Sequence, residues 1–493
     1  MSVFIFLIYF ATRFINLLKL PIFNDESIYL HWGQIMINFP GYAFYSLFDG
    51  KPPLILWILG FSQKLPINPL VAGRSVSIIF GFLTLLGIKK TCQILKFSQK
   101  TQIIAGLLYI FNPLTLFFDR LALLESPIST IFIWIIYFSL KFNLQLDSTW
   151  KEAKPFLILG LIQGIGLWIK GTAKFFLFLP FIIPLLTLII DKNQKQAIKE
   201  GIVLFGSFLL AKILFLPIRL NPLFSLFQKR EADFLLPFPQ TLNPLLWFSH
   251  ILFLSLTLLI LITPFVLSFC LLGFFKFFRQ DKKSALILFS FPALPIIFEI
   301  FFTRFFLSRY FLFAILPIFI FAAYGLENIK FQKKFFLFLT MVLPFSLCLF
   351  LIFNPFLTLK TLSENKIIAQ DLNQYFTGWT SGYGVKEAAD FLDQKSKDGP
   401  IIIFLRADSG NPEDGIFTYL SKNKNIIFVQ ATQKPKPEEL KSLAKFPIYF
   451  LSRGHQFLDM ENWLSEIKIF KKPEDKEFVG IYKIILDKES FNP

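Results

Sequence analysis

The chain has 493 residues, of which 54% are hydrophobic and only 17% charged, with 68 Phe and a mean hydropathy of +0.59. That composition excludes a soluble enzyme and requires lipid as solvent for much of the chain. The formal charge of +17 does not point to nucleic acid, because residues 360–493 carry 19 acidic and 19 basic side chains while the preceding part carries 14 and 31; the basicity reports membrane topology.

A membrane helix needs roughly 17–25 apolar residues. About eleven runs qualify, at 3–20, 67–88, 102–118, 127–145, 155–170, 174–190, 201–218, 245–275, 284–303, 310–326 and 335–353. The first lacks the basic flank and cleavage site of a secretory signal, so it reads as a retained span. The short pair at 155–170 and 174–190 also suits a re-entrant hairpin. Five connecting loops hold 17 positive charges, from Lys89, Lys90, Lys96 and Lys100; Lys141, Lys151 and Lys154; Lys192, Lys195 and Lys199; Lys276, Arg279, Lys282 and Lys283; and Lys330, Lys333 and Lys334. Short basic loops face the cytoplasm. The expectation is a multi-pass protein of the plasma (inner) membrane whose tail is extracytoplasmic.

That tail has short apolar runs at 401–405, 425–429, 447–451 and 479–486, alternating with helix-like stretches at 385–394, 414–421 and 437–445. The alternation predicts a small α/β domain with a mostly parallel sheet. The division expected is therefore a transmembrane module over 1–355 and an extracytoplasmic α/β domain over 356–493. Cys92, Cys270 and Cys348 lie in or beside apolar segments without ligand spacing, which suggests neither disulfides nor zinc.

Acidic residues in the membrane part separate by side. Asp147, Glu152, Asp191, Glu200, Asp281 and Glu327 fall among the basic loops and read as solvated. Asp25, Glu26, Asp49, Asp119, Glu125, Glu231 and Asp233 fall on the opposite side, where Lys51, Arg74, Arg120, Lys170, Lys174, Arg304 and Arg309 also gather. Acids and bases concentrated at one interface point to a polar cavity. Asp25-Glu26 follows the first span directly, and adjacent carboxylates there are functional candidates by default; the same pair also suits the first turn of a helix. His31 and Trp32 fit an interfacial amphipathic helix, and the segment 219–243 is long enough to cover a cavity.

Asp25-Glu26-Ser27-Ile28-Tyr29, Gly50-Lys51-Pro52-Pro53-Leu54 and Leu121-Ala122-Leu123-Leu124-Glu125-Ser126-Pro127, in that order, resemble the GT-C-fold glycosyltransferases, in particular the branch of protein O-mannosyltransferases and lipid A aminoarabinose transferases. Gly166-Leu167-Trp168-Ile169-Lys170-Gly171 and the stretch from Ser308 to Pro317 fit the same branch, and Gly378-Trp379-Thr380-Ser381-Gly382-Tyr383-Gly384 is similar to the start of its external domains. The resemblance implies an α-helical polytopic GT-C fold and inverting transfer of a sugar from a polyprenyl-phosphate donor to an acceptor hydroxyl at the outer face. Asp25 matches the family's catalytic acid position, with Glu26 supporting it. Lys51 matches the phosphate-contacting lysine, with Arg74, Arg304 and Arg309 as further phosphate candidates. Asp119, Arg120, Glu125 and Lys170 complete the candidate site. Gly50 and Glu125 depart from the family pattern, where an acid and an Asp are frequent, which counts against a family metal site; no cofactor is expected, and a divalent metal stays open. The implied partners are the lipid-linked donor, a lipid, protein or glycan acceptor, and the bilayer. The competing reading is a transporter or flippase of a lipid-linked glycan, which favours polar residues through mid-membrane and repeated halves.

Overall fold

In the computed structural model, which describes residues 3–145, 153–304, 307–327, 334–363, 369–443 and 445–485, proline and asparagine decide where the apolar runs become helices. Asn112 accepts from the backbone N–H groups of Leu114 and Thr115 at 3.0 and 3.2 Å. Pro113 follows it without an N–H of its own, so the expected run at 102–118 becomes two helices, Gln99–Ile110 and Pro113–Asp119, bent by 64°. The run at 245–275 is likewise corrected to two helices, Pro244–Leu261 and Pro264–Gln280. Thr263 between them has φ 75, a conformation that interrupts the helix just before a proline that cannot donate.

Six helices among the described residues are long and apolar enough to cross a membrane: Pro69–Ile94, Glu125–Leu144, Ala173–Asp191, Gln194–Arg219, Pro244–Leu261 and Lys282–Phe302. The bent pair makes a seventh, and Val3–Phe14, Phe156–Leu167, Phe313–Glu327 and Met341–Phe353 are shorter apolar helices. Asp147, Lys151, Glu152, Lys330 and Lys333 lie outside the described residues.

The chain divides into two compact units. The first comprises Met1–Leu17, Met36–Ile58 and Arg74–Asn354, and the second Leu18–Ile35, Leu59–Gly73 and Pro355–Pro493. Within the first, helices Pro264–Gln280 and Leu316–Glu327 touch backbone to backbone, because a side chain at Gly273 or Gly325 would collide with the carbonyl of Phe321 or Phe269. Small residues permit this approach where lipid gives helices no hydrophobic reason to associate. A buried ion pair fastens the N-terminal helix. Arg13 and Asp119 are 0% and 1% exposed and 3.2 Å apart, and Asp119 also accepts from Tyr109, Tyr9 and Ser126. Replacing Asp119 by Asn would leave the Arg13 charge buried without its counter-ion. The expected loss is roughly 3–5 kcal/mol, read as a lowered unfolding temperature of the purified protein.

The second unit holds the sheet. Its strands are β1 (Ile401–Arg406), β2 (Ile426–Ala431), β3 (Ile448–Arg453), β4 (Leu464–Lys471) and β5 (Phe478–Ile484), in the order β2-β1-β3-β5-β4. β1 pairs in parallel with β2 and β3, while β5 pairs antiparallel with β3 and β4. The sheet is thus mixed rather than mostly parallel, since no helix crosses over between β3 and the final hairpin. Phe404, Ile448, Phe450, Trp463 and Ile484 share its core.

At the carboxyl end of the parallel strands, Arg453 donates to Glu413 at 2.6 Å and to Asp408 at 3.2 Å. Burial pushes the Glu413 carboxyl up from 4.5 to about 7, against the opposing pull of Arg453. A carboxyl raised in the folded state stabilises it below the unfolded value and loses that contribution as pH rises through the folded one. Unfolding temperature should therefore fall between pH 4.5 and about 7. Glu413→Gln should flatten that slope in a pH series of thermal melts.

Candidate active site

Lys51 is placed by local backbone constraints. The turn Tyr45–Asp49 ends on Gly50, at φ 72, where a side chain would meet Arg230 Cγ at 2.9 Å. Pro52 and Pro53 then hold the chain out of helix until Leu54, whose N–H donates to the Trp168 carbonyl at 3.1 Å. The Trp57 and Trp168 rings lie 5.6 Å apart, which fastens the lysine loop to the segment 166–174.

That segment carries two more cations. Lys170 Nζ lies 2.9 Å from Glu125 Oε1, and Arg309 Nε lies 3.9 Å from the same oxygen. Both cations sit over the Tyr310 ring, at 5.2 and 5.5 Å. Glu125, Ser129, Lys170, Thr172, Arg309 and Tyr310 line a recess of about 230 Å³, part of it open to solvent. Lys174 pairs with Glu231, and Gly171 leaves room for that carboxylate. Burial raises the Glu231 carboxyl, and Lys174 only partly offsets this.

Glu231 and Arg230 belong to one short helix, Phe224–Ala232, within the expected covering segment. Arg230 Nε donates to Asp49 Oδ1 at 2.8 Å while Asp49 Oδ2 pairs with Lys51. One carboxylate therefore serves two cations. The first unit thus joins Lys51, Lys170, Arg309 and Glu125 through 166–174.

Other candidates lie elsewhere. Arg74 is fully buried and donates to the Leu17 carbonyl at 2.6 Å. Arg120 donates to the carbonyls of Ile15 and Asn16, at 2.9 and 2.8 Å. Both hold the chain where the first helix ends. Asp119 is enclosed in the Arg13 network rather than a cavity. Arg304 is exposed, and its backbone N–H donates to Phe234 at 2.8 Å.

Asp25 and Glu26 belong to the second unit, in the first turn of helix Asn24–Asn38. Glu26, 0% exposed, accepts from the Phe23 backbone N–H at 2.9 Å, the returning half of a capping box. Asp25 is half-buried. The helix-start role thus belongs to Glu26, and Asp25 is the carboxylate of the pair with access to solvent. Among the described residues no group of three or more His, Cys, Asp or Glu side chains is placed to hold a metal ion.

The sequence profile of the dolichyl-phosphate-mannose-protein mannosyltransferases matches residues 50–220. The whole fold, 100% of this chain, superposes on 99% of ArnT from Cupriavidus metallidurans bound to undecaprenyl phosphate, with a TM-score of 0.63 at 13% identity. The chain has the GT-C fold of the mannosyltransferase and ArnT branch. The apo form of that ArnT gives a TM-score of 0.64 at 13% identity over 97% of each chain. An oligosaccharyltransferase from Archaeoglobus fulgidus, in complex with Zn and sulfate, gives 0.55 at 12% identity over 99% of this chain and 73% of that one. No curated protein sequence matches the chain. The resemblance drawn from the Asp25, Lys51 and Glu125 motifs therefore holds at the level of fold, and the protein is a multi-pass membrane protein.

Sequence reasoning missed Arg13, which sits inside the first apolar run with no motif around it. An arginine within a membrane helix is itself the signal, because such a charge persists only with a partner. Asp414 was likewise passed over, though it pairs with His31.

Proposed function

We propose that this chain is an inverting glycosyltransferase that moves a sugar from a polyprenyl-phosphate donor to an acceptor hydroxyl at the outer face of the plasma membrane. The observation that carries this reading is the pairing of Lys170 and Arg309 with Glu125, with the loop that bears Lys51 bonded through Leu54 to the segment 166–174, in a fold that matches ArnT bound to undecaprenyl phosphate along its full length. An ammonium and a guanidinium beside replaceable carboxylates suit the phosphodiester of such a donor and the phosphate monoester it leaves. As the bond between the anomeric carbon and the phosphate oxygen breaks, charge grows on that oxygen, and fixed cations there stabilise the transition state more than the ground state. The acceptor oxygen attacks from the opposite side of the ring and inverts the anomeric centre. Its proton passes to Asp25, the general base.

In this reading residues 1–355 form the catalytic module with about eleven spans, residues 356–493 lie outside the cytoplasm, Glu26 braces the helix that presents Asp25, and Glu125 holds Lys170 and Arg309 until phosphate arrives. The test incubates the purified protein in lipid nanodiscs with a panel of undecaprenyl-phosphate monosaccharides and native membranes, followed by mass analysis. A glycosylated product with inverted configuration is expected. Donors that cross a vesicle bilayer intact, with no product from any sugar, would overturn this in favour of a flippase.

A further inference from the structure

The second unit contains an arrangement that transfer chemistry alone does not explain. In open α/β sheets, ligands bind outside the carboxyl ends of the strands where the strand order reverses. Here that point lies between β1 and β3, which leave in opposite directions, β1 toward β2 and β3 toward β5. The loop after β1, residues 407–412, occupies it, and it grips the chain's own residues 22–24. Asn411 N–H donates to Asn24 Oδ1 at 2.8 Å, and Asn411 Nδ2 donates to the carbonyls of Ile22 and Thr380, at 3.0 and 3.2 Å. Asn24 N–H donates to the same Thr380 carbonyl at 3.0 Å.

The glycine-rich motif 378–384 finds its use here. Lys472, 3% exposed, donates to the carbonyls of Gly378, Trp379 and Ser381 at 3.2, 2.8 and 2.7 Å, fixing the strip that receives Asn24. A side chain at Gly382 or Gly410 would collide with Ile22 or Asn24. Six residues beyond Asp25, His31 pairs with Asp414 and stacks on Phe417, ring centres 4.2 Å apart. Residues on both sides of Asp25 are therefore held by the α/β domain.

We propose that the α/β domain is the positioning device for Asp25, its strand-end crevice clamping residues 22–24 and His31, with Asn24, Asn411 and Asp414 as positioning residues for proton transfer. The inference rests on the reading of Asp25 as the base. A clamp of this kind sets orientation, so its loss lowers turnover and leaves donor affinity alone. Misplacing a reacting group by about 1 Å costs up to roughly a hundredfold in rate.

The test measures release of undecaprenyl phosphate from the undecaprenyl-phosphate monosaccharides by the full chain in nanodiscs, with native membranes supplying the acceptor hydroxyl that takes the sugar. Asn411→Ala should lower kcat by about tenfold to a hundredfold with donor KM held within about twofold. Asn411→Ala removes the Nδ2 bonds to the Ile22 and Thr380 carbonyls, and Asn24→Ala removes the acceptor of the Asn411 backbone N–H. The double variant should therefore lose less than the product of the two single losses, because both loosen one clamp. Hydrogen exchange should quicken over residues 20–31 while β1 and β3 keep their protection. Asp414→Asn, which can still accept from the Gly410 N–H, serves if Asn411→Ala fails to fold, and it should show the same pattern. Wild-type kcat in these variants, losses that multiply in the double variant, or lost protection in β1 and β3 would each overturn the proposal. Asp25→Asn separates the two claims. Turnover retained by Asp25→Asn removes the base itself, whereas an inactive Asp25→Asn beside a fully active Asn411→Ala removes only the clamp.

Discussion

Asp25→Asn is expected to lower kcat by about 10²- to 10⁴-fold, the range supplied by a positioned acid or base, while the protein purifies and melts as the wild type does. The separation follows from the division of labour in the first turn of helix Asn24–Asn38. The cap to Phe23 N–H comes from Glu26, so an amide at 25 disturbs neither the cap nor the Asn24 contacts to Asn411 and Thr380. The amide does remove the one property the chemistry needs, an anionic oxygen that accepts a proton. Glu26→Gln is the matched comparison, because Gln retains an oxygen for Phe23 N–H and should lose far less turnover. Single-turnover rates with a labelled donor measure both, and full activity of purified Asp25→Asn would reject the base.

Much of the architecture could be read from residue order because the signals are local. Apolar runs marked the helices, and short apolar runs between polar stretches marked β1, β2, β3 and β5. β4 escaped because Leu464-Ser465-Glu466-Ile467-Lys468 is an edge strand whose charges alternate with apolar residues instead of forming a continuous run. The cation set around Lys51 and Lys170 was legible as motifs, but the partner that neutralises each one was not, since the pairing of Asp49 with Arg230 joins residues 181 apart. That Arg74 is buried and donates to the Leu17 carbonyl was hidden for a related reason, since residue type alone does not tell how deeply an arginine near a helix start lies. The residence of Asp25 in the same unit as the sheet was equally invisible, because it depends on Asn24 meeting Asn411 across 387 positions.

Lys51→Ala should lower kcat/KM for the lipid-linked donor by about 10²- to 10³-fold, the usual cost of deleting one group that stabilises developing negative charge. Stability should barely change, since ion pairs with access to water contribute only about 0–1 kcal/mol and Lys51 is 18% exposed beside Asp49. Arg230 continues to hold the Asp49 carboxylate at 2.8 Å in the variant, so the loop keeps its counter-ion and the loss falls on the donor phosphate. Lys51→Arg should restore part of the rate, because a guanidinium supplies the charge with a different reach and a planar fork. Product inhibition gives an independent check: undecaprenyl phosphate carries the same phosphate without the sugar, so its inhibition constant should rise in Lys51→Ala in parallel with the fall in kcat/KM. An unchanged inhibition constant would shift phosphate recognition from Lys51 to the recess between Lys170 and Arg309, where Glu125→Gln would then be the variant that alters donor binding.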